Sequence, residues 1–152
     1  MKVFISHKST DSVPASQVQQ AFQNQGVSAY LDVLDNFEGE GEKLTAHIKE
    51  QLNKCTDIIV VMSESTKTSW WVPFEIGMSA QIDMPTATYL VRSVSLPDYL
   101  LYWPRLKDAT DIVKYVTVRN RVWRTDSSFE KRFSSGVMST NEFYRQLKAE
   151  LR

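Results

Sequence analysis

Apolar residues along the chain follow two rhythms. Short runs rich in β-branched and aromatic side chains occur at Val3–Ser6, Ala29–Leu31, Ile58–Met62, Ala87–Val91 and Tyr115–Val118, and each reads as a strand. The third, "IIVVM", is apolar at every position, as suits a central parallel strand covered on both faces. Between the runs the period lengthens to about 3.6 residues, the mark of helical crossovers. Ala15, Val18 and Phe22 share one helical face, with Pro14 in the first turn and Gly26 placed to end the helix in a left-handed conformation. Leu44, Ile48, Leu52 and Cys55 form a second stripe, which makes Cys55 a small core residue and not a nucleophile. A last helix is marked by Ser139 and Glu142 at capping-box spacing, by Met138 and Phe143 where a hydrophobic staple closes, and by Phe143, Leu147 and Leu151 on one face.

The order β-α-β-α-β-α-β, followed by an irregular stretch, a strand and a helix, predicts an α/β fold. Its core is an open, doubly wound sheet of about five parallel strands with helices on both faces. A chain of 152 residues is one domain's worth, so residues 1–152 are expected to form a single domain. Residues 92–137 are the least legible. Arg119, Arg121, Arg124, Lys131 and Arg132 make them locally basic, and a solvated loop is the simpler reading than a phosphate-binding patch.

Charge and cysteine content narrow the function classes. With 18 basic and 18 acidic residues, the chain gives no electrostatic reason to expect nucleic acid or an anionic membrane as partner. One cysteine cannot form an intrachain disulfide, and no apolar run reaches the roughly 18 residues of a membrane span. The expectation is a cytoplasmic protein without a metal. His47 reads as a surface histidine, with nothing pairing it to Cys55.

Ligands of open α/β sheets bind beyond the carboxyl ends of the strands. Those ends bring Ser6, His7 and Lys8, then Asp32, then Ser63 and Glu64, together with "SWWVPFE" at the start of the next helix. Pro73 belongs in the first turn of that helix, which puts Glu75 within about a turn of its N-terminus. The free amides there favour an ionised carboxylate, suited to stabilising a developing cation in an open crevice. Trp71, four residues earlier, falls on the same face as Glu75, while Trp70 and Phe74 are the pair expected to pack toward the core.

Taken together, these residues resemble the Toll/interleukin-1 receptor (TIR) domain of the bacterial kind, which has a flavodoxin-like fold. "VFISHKSTD" is similar to the family's first conserved box. The stretch from "AYLD" to "SWWVPFEIG" is similar to its second strand, the loop after it, a helix, an apolar strand ending in Ser, and a Trp four residues before a Glu. The likeness runs over residues 1 to 91 and fades after Arg92. The loop "DVLDNFEGEGEK" departs by being strongly acidic and lacking a proline, and the late "FW" element of many animal members is absent.

The resemblance implies that Glu75 is the catalytic glutamate of an enzyme cleaving NAD+, with no further cofactor. It implies that Trp71 lies beside the nucleotide, and that Ser6, His7, Lys8, Asp32 and Ser63 line the pocket. It also implies self-association between TIR domains, and an ADP-ribose-derived signal read by a separate effector in antiviral defence such as Thoeris. Two other classes fit the same residues. One is a non-catalytic interaction module, a scaffold or a host-mimicking virulence factor, docking through the loop containing Glu38 to Glu42. The other is a nucleoside-transferring enzyme with a catalytic glutamate.

Overall fold

A computed structural model of the chain describes residues 1–31, 41–128 and 135–152, with backbone alone for 125–128 and 135–138. Five parallel strands, β1 (Lys2–Ser6), β2 (Ser28–Leu31), β3 (Asp57–Met62), β4 (Thr86–Leu90) and β5 (Arg105–Leu106), lie in the order β2-β1-β3-β4-β5. Five helices accompany them: α1 (Ser12–Asn24), α2 (Gly41–Asn53), α3 (Trp71–Gln81), α4 (Ala109–Ser128) and α5 (Ser135–Glu150). This is the open, doubly wound parallel sheet that the patterning predicts, and the flavodoxin-like architecture that the resemblance implies.

Strand alternation divides the core in two. Val3, Ile5, Ile59, Val61 and Ala87 face α1, α4 and α5, while Phe4, Ile58, Val60 and Met62 face α2 and α3. β3 is buried at all its positions and occupies the middle of the sheet, as its unbroken apolar run requires. Ala15, Val18 and Phe22 form the buried stripe of α1, and Gly26 ends that helix at φ +69°. Leu44, Ile48 and Leu52 play the same part in α2, and Cys55 packs into that cluster from just beyond the helix.

Three expectations are corrected. Tyr115–Val118 is not a strand but lies inside α4, because its apolar residues belong to a longer helical stripe through Ile112, Tyr115, Arg119 and Val122. The fifth strand is instead the two-residue Arg105–Leu106, paired with Thr88 and Tyr89. α5 starts at Ser135, so Ser139 is a helix-interior residue and the capping box does not form; Glu142 binds Arg145 and Gln146 instead. Met138, the staple residue, lies outside the described side chains.

Part of the basic stretch is also structural. At the amino end of β3, the fully buried Asp57 accepts hydrogen bonds from Arg119 Nε at 2.7 Å, Tyr115 Oη at 2.9 Å and Thr56 Oγ1 at 2.5 Å. The Arg119 guanidinium also lies over the Trp123 ring, 3.2 Å from its centroid. Arg121 reaches Glu150 and Gln146 on α5. Lys131 and Arg132 lie outside the described residues. Asp57→Ala strands a buried guanidinium and a buried phenol, so it is expected to cost about 3–5 kcal/mol in denaturant unfolding.

A second stability prediction concerns Tyr144, whose Oη accepts the Thr86 amide at 2.9 Å. Burial pushes this phenol up to about 12. The unfolded chain ionises near the usual value of about 10, so between these two values it holds fewer protons than the folded chain. Stability is therefore complete below about pH 10 and falls as pH rises toward 12. Tyr144→Phe is expected to flatten that slope in alkaline urea titrations.

Candidate active site

The order of the strands creates a switch point between β1 and β3, where the chain leaves β1 toward α1 on one face and leaves β3 toward α3 on the other. The residues after these strands meet there. A 3-10 turn at Ser9–Asp11 follows β1, and another at Thr66–Thr68 follows β3.

Hydroxyl groups and one lysine stitch the two loops together. Asp11 is buried, and its Oδ2 accepts from Ser63 Oγ at 2.6 Å and from Thr66 Oγ1. Ser63 Oγ in turn accepts the amides of Ser65 and Thr66 at 3.1 and 3.2 Å. Thr10 Oγ1 and Ser65 Oγ are 2.8 Å apart, and Lys8 Nζ donates to Thr68 Oγ1 at 3.2 Å and the Ser65 carbonyl at 3.5 Å. The hydroxyl of Ser63 is thus spent on loop geometry. Asp11, the last residue of the "VFISHKSTD" box, joins the two loops, a bonding role that sequence reasoning did not assign to it. The signal was the Ser-Thr-rich "SESTKTS" opposite it, a set of donors in need of one acceptor.

α3 starts at Trp71, with the Val72 amide received by Ser69 Oγ at 3.3 Å and Pro73 in the first turn, as its missing amide hydrogen predicts. Val72, Glu75, Ile76 and Ser79 form its buried face at i, i+3, i+4 and i+7. Glu75 therefore points at the sheet and not into an open crevice. It is 1% exposed, and Ser6, the last residue of β1, donates its hydroxyl to Glu75 Oε2. The expectation of a carboxylate standing at an open mouth is corrected by this burial; the stripe that contains it was readable from Val72 and Ile76.

The tryptophans divide differently from the expectation. Trp70 is 91% exposed and Phe74 38%, so neither packs into the core, because the helix starts after Trp70 and turns Val72 and Ile76 inward instead. Trp71 is also 38% exposed and meets Phe74 edge to face, with centroids 6.0 Å apart. Trp71 and Phe74 thus form an aromatic rim on the helix that carries Glu75.

His7 follows Ser6 directly, and its Nδ1 is buried with no hydrogen-bond partner among the described residues. Ser6, His7, Lys8, Ser63, Trp71 and Glu75 are accordingly gathered at one end of the sheet. Asp32 and residues 38–40 of the acidic loop lie outside the described residues. His47 stands 3.4 Å from Tyr30 Oη, and burial pushes the Cys55 thiol up, in keeping with a packing role. Among the described residues no group of three His, Cys, Asp or Glu side chains is placed to hold a metal ion.

A family profile described as the TIR domain matches residues 3–132. The chain belongs to the TIR domain family. Among curated proteins, this TIR domain is 23% identical over 120 residues to the "Probable 3' cyclic ADP-D-ribose synthase ThsB'" of Bacillus cereus (strain MSX-D12). The match covers 72% of this chain and 62% of that protein, so the chain spans less than two thirds of its relative. Among solved structures, the 2-deoxyribosyltransferase of Bacillus psychrosaccharolyticus superposes with a TM-score of 0.56 at 11% identity, covering 74% of this chain and 90% of that one. This is a likeness of fold alone. Among the described residues, no helix is long and apolar enough to cross a membrane.

Two substitutions test how this end of the sheet is held. Asp11→Ala removes the shared acceptor of Ser63 and Thr66 and is expected to cost about 1–3 kcal/mol. Trp70→Ala, at a position that buries nothing, should stay within about 0.5 kcal/mol of the parent. Chemical denaturation of both variants reads the difference directly.

Proposed function

We propose that this TIR domain cleaves the bond between nicotinamide and ribose in NAD+, with Glu75 as the catalytic residue. The observation that carries the reading is the position of Glu75: an acidic side chain on the first turns of α3, bound to the last residue of β1, at the switch point of a TIR fold. Nicotinamide in NAD+ is already cationic, so it departs with the bonding electron pair and needs no acid to protonate it. That distinguishes the reaction from ordinary glycoside hydrolysis with its two carboxyl groups. One negative group beside C1 of the ribose is what the developing cation requires. Trp71 supplies an aromatic surface at the rim for a planar ring.

An acceptor then attacks C1 through a lone pair, and water or a hydroxyl loses its proton as the new bond forms. Water yields ADP-ribose, a hydroxyl or ring nitrogen of the same molecule yields a cyclic product, and an outside nucleophile yields a conjugate. The Bacillus cereus relative, described as a "Probable 3' cyclic ADP-D-ribose synthase", favours the cyclic outcome. On this reading the product is a signal for a separately encoded effector in antiphage defence of the Thoeris type. Ser6, His7, Lys8, Asp32 and Ser63 belong to the pocket or to its frame.

Burial of Glu75 adds a condition. Ribose reaches the carboxylate only when it is uncovered, so the conformation described here is a resting one, and self-association or a cellular trigger accompanies turnover. Purified protein is expected to turn NAD+ over slowly alone and faster with lysate of phage-infected cells. Glu75→Gln should lower that turnover by about 10²–10³-fold, since removing one electrostatic group of this kind has that effect. The glutamine oxygen can still accept from Ser6, so unfolding should be little changed. NAD+ loss that is the same with and without Glu75, or is absent under both conditions, would return the protein to the class of interaction modules. Turnover of deoxynucleosides in its place would mark a nucleoside-transferring enzyme.

A further inference from the structure

The sheet ends at β5, with β4 between it and β3, and a 3-10 turn at Asp98–Tyr102 leads into this edge strand. Two cations meet there. Lys148 reaches across from α5: its Nζ donates to the Tyr102 carbonyl and lies 5.2 Å from the centroid of the Tyr102 ring. Arg105 is exposed on β5, three residues further along. Burial and the Arg105 guanidinium both push the Lys148 ammonium down, so the two charges feel each other.

Among the described residues neither cation has a carboxylate partner. This sets them apart from Lys114, Arg119, Arg121 and Arg145 on α4 and α5, each of which meets a carboxylate at 3.0 Å or less. The acids of α5 are engaged elsewhere, Glu142 with Arg145 and Gln146, and Glu150 with Arg121. Lys148 spends one of its three donors on Tyr102, and the Arg105 guanidinium makes no hydrogen bond among the described residues. The surface beside them is aromatic. Tyr102 is 56% exposed, and its ring is braced edge to face by Trp103 and Tyr144, with centroids 5.7 and 5.8 Å away.

We propose that Arg105 and Lys148 form a second anion site, separate from Glu75, that takes the phosphate group of a nucleotide monoester, with Tyr102 beside the base. A phosphate monoester carries a charge of about −1.5 to −2 near neutral pH and three acceptor oxygens, which matches two cations with donors to spare. A carboxylate carries one charge and leaves half of the repulsion standing. The guanidinium fork holds two phosphate oxygens at once, while the ammonium acts as a point charge on the third. A braced, exposed ring is a surface for a flat heterocycle. The site stands or falls independently of the reading of Glu75.

The full chain, labelled with nitrogen-15, is titrated at low salt with adenosine 5′-monophosphate, inorganic phosphate and adenosine. The monophosphate should move the backbone amides of Tyr102, Trp103, Arg105 and Lys148 saturably, with half-saturation at about 1 mM or below. Inorganic phosphate should move the same amides more weakly, and adenosine should leave them in place. Arg105→Gln and Lys148→Gln should each weaken the monophosphate by about tenfold, and Glu75→Gln should not change it. Arg105 is exposed, so its variant reads the site even if loss of the bond between Lys148 and Tyr102 loosens α5. Amides unmoved by either phosphate up to about 10 mM, or shifts that survive either substitution, overturn the proposal. Adenosine acting as strongly as its monophosphate overturns it too, since the anion would then have no part.

Discussion

The contact on which the site depends is the hydrogen bond from the Ser6 hydroxyl to the Glu75 carboxylate, which fastens the end of β1 to the first turns of α3. Taking a carboxylate out of water is costly unless donors replace the lost hydration. Here a hydroxyl and the positive end of a helix are at hand. The same solution recurs next door, where Asp11 is buried against the hydroxyls of Ser63 and Thr66. At the opposite end of the sheet, Asp57 is satisfied differently, by the guanidinium of Arg119 together with two hydroxyls.

Burial of Glu75 changes what the fold does. An exposed carboxylate at a helix start would be a surface group available at all times. One in the same stripe as Val72 and Ile76 is withheld until the structure around it alters. If the protein consumes NAD+ as proposed, a covered resting state separates the presence of the enzyme from its action. The exposed Trp70 and the rim formed by Trp71 and Phe74 lie on the same helix, so any molecule or second copy that engages those rings also acts on the helix that carries Glu75.

Much of this was legible in the residues. "IIVVM" announced a central strand because burial on both faces leaves no room for a polar position, and the stripes of α1 and α2 followed from 3.6-residue spacing. Ser6 and Glu75 were legible as neighbours from topology alone, and Pro73 as a residue of the first helical turn. What escaped was decided by context. "YVTV" has the composition of a strand, but its apolar residues extend a helical stripe on both sides, and the two residues of β5 are too few to make a pattern. Glu75 was read by the helix terminus it stands near and not by the buried positions on either side of it, Val72 and Ile76. The acceptor role of Asp11 depended on a loop more than fifty residues away, which no local spacing reveals.

The central claim is that the ribose of NAD+ comes to rest with C1 against the side chain of residue 75. The most direct measurement is a crystal structure of the Glu75→Gln variant with NAD+ bound. The account predicts the C1 atom in van der Waals contact with the residue 75 side chain, and the nicotinamide ring near Trp71. NAD+ bound elsewhere on the protein, with residue 75 still sealed beneath Ser6, would contradict it.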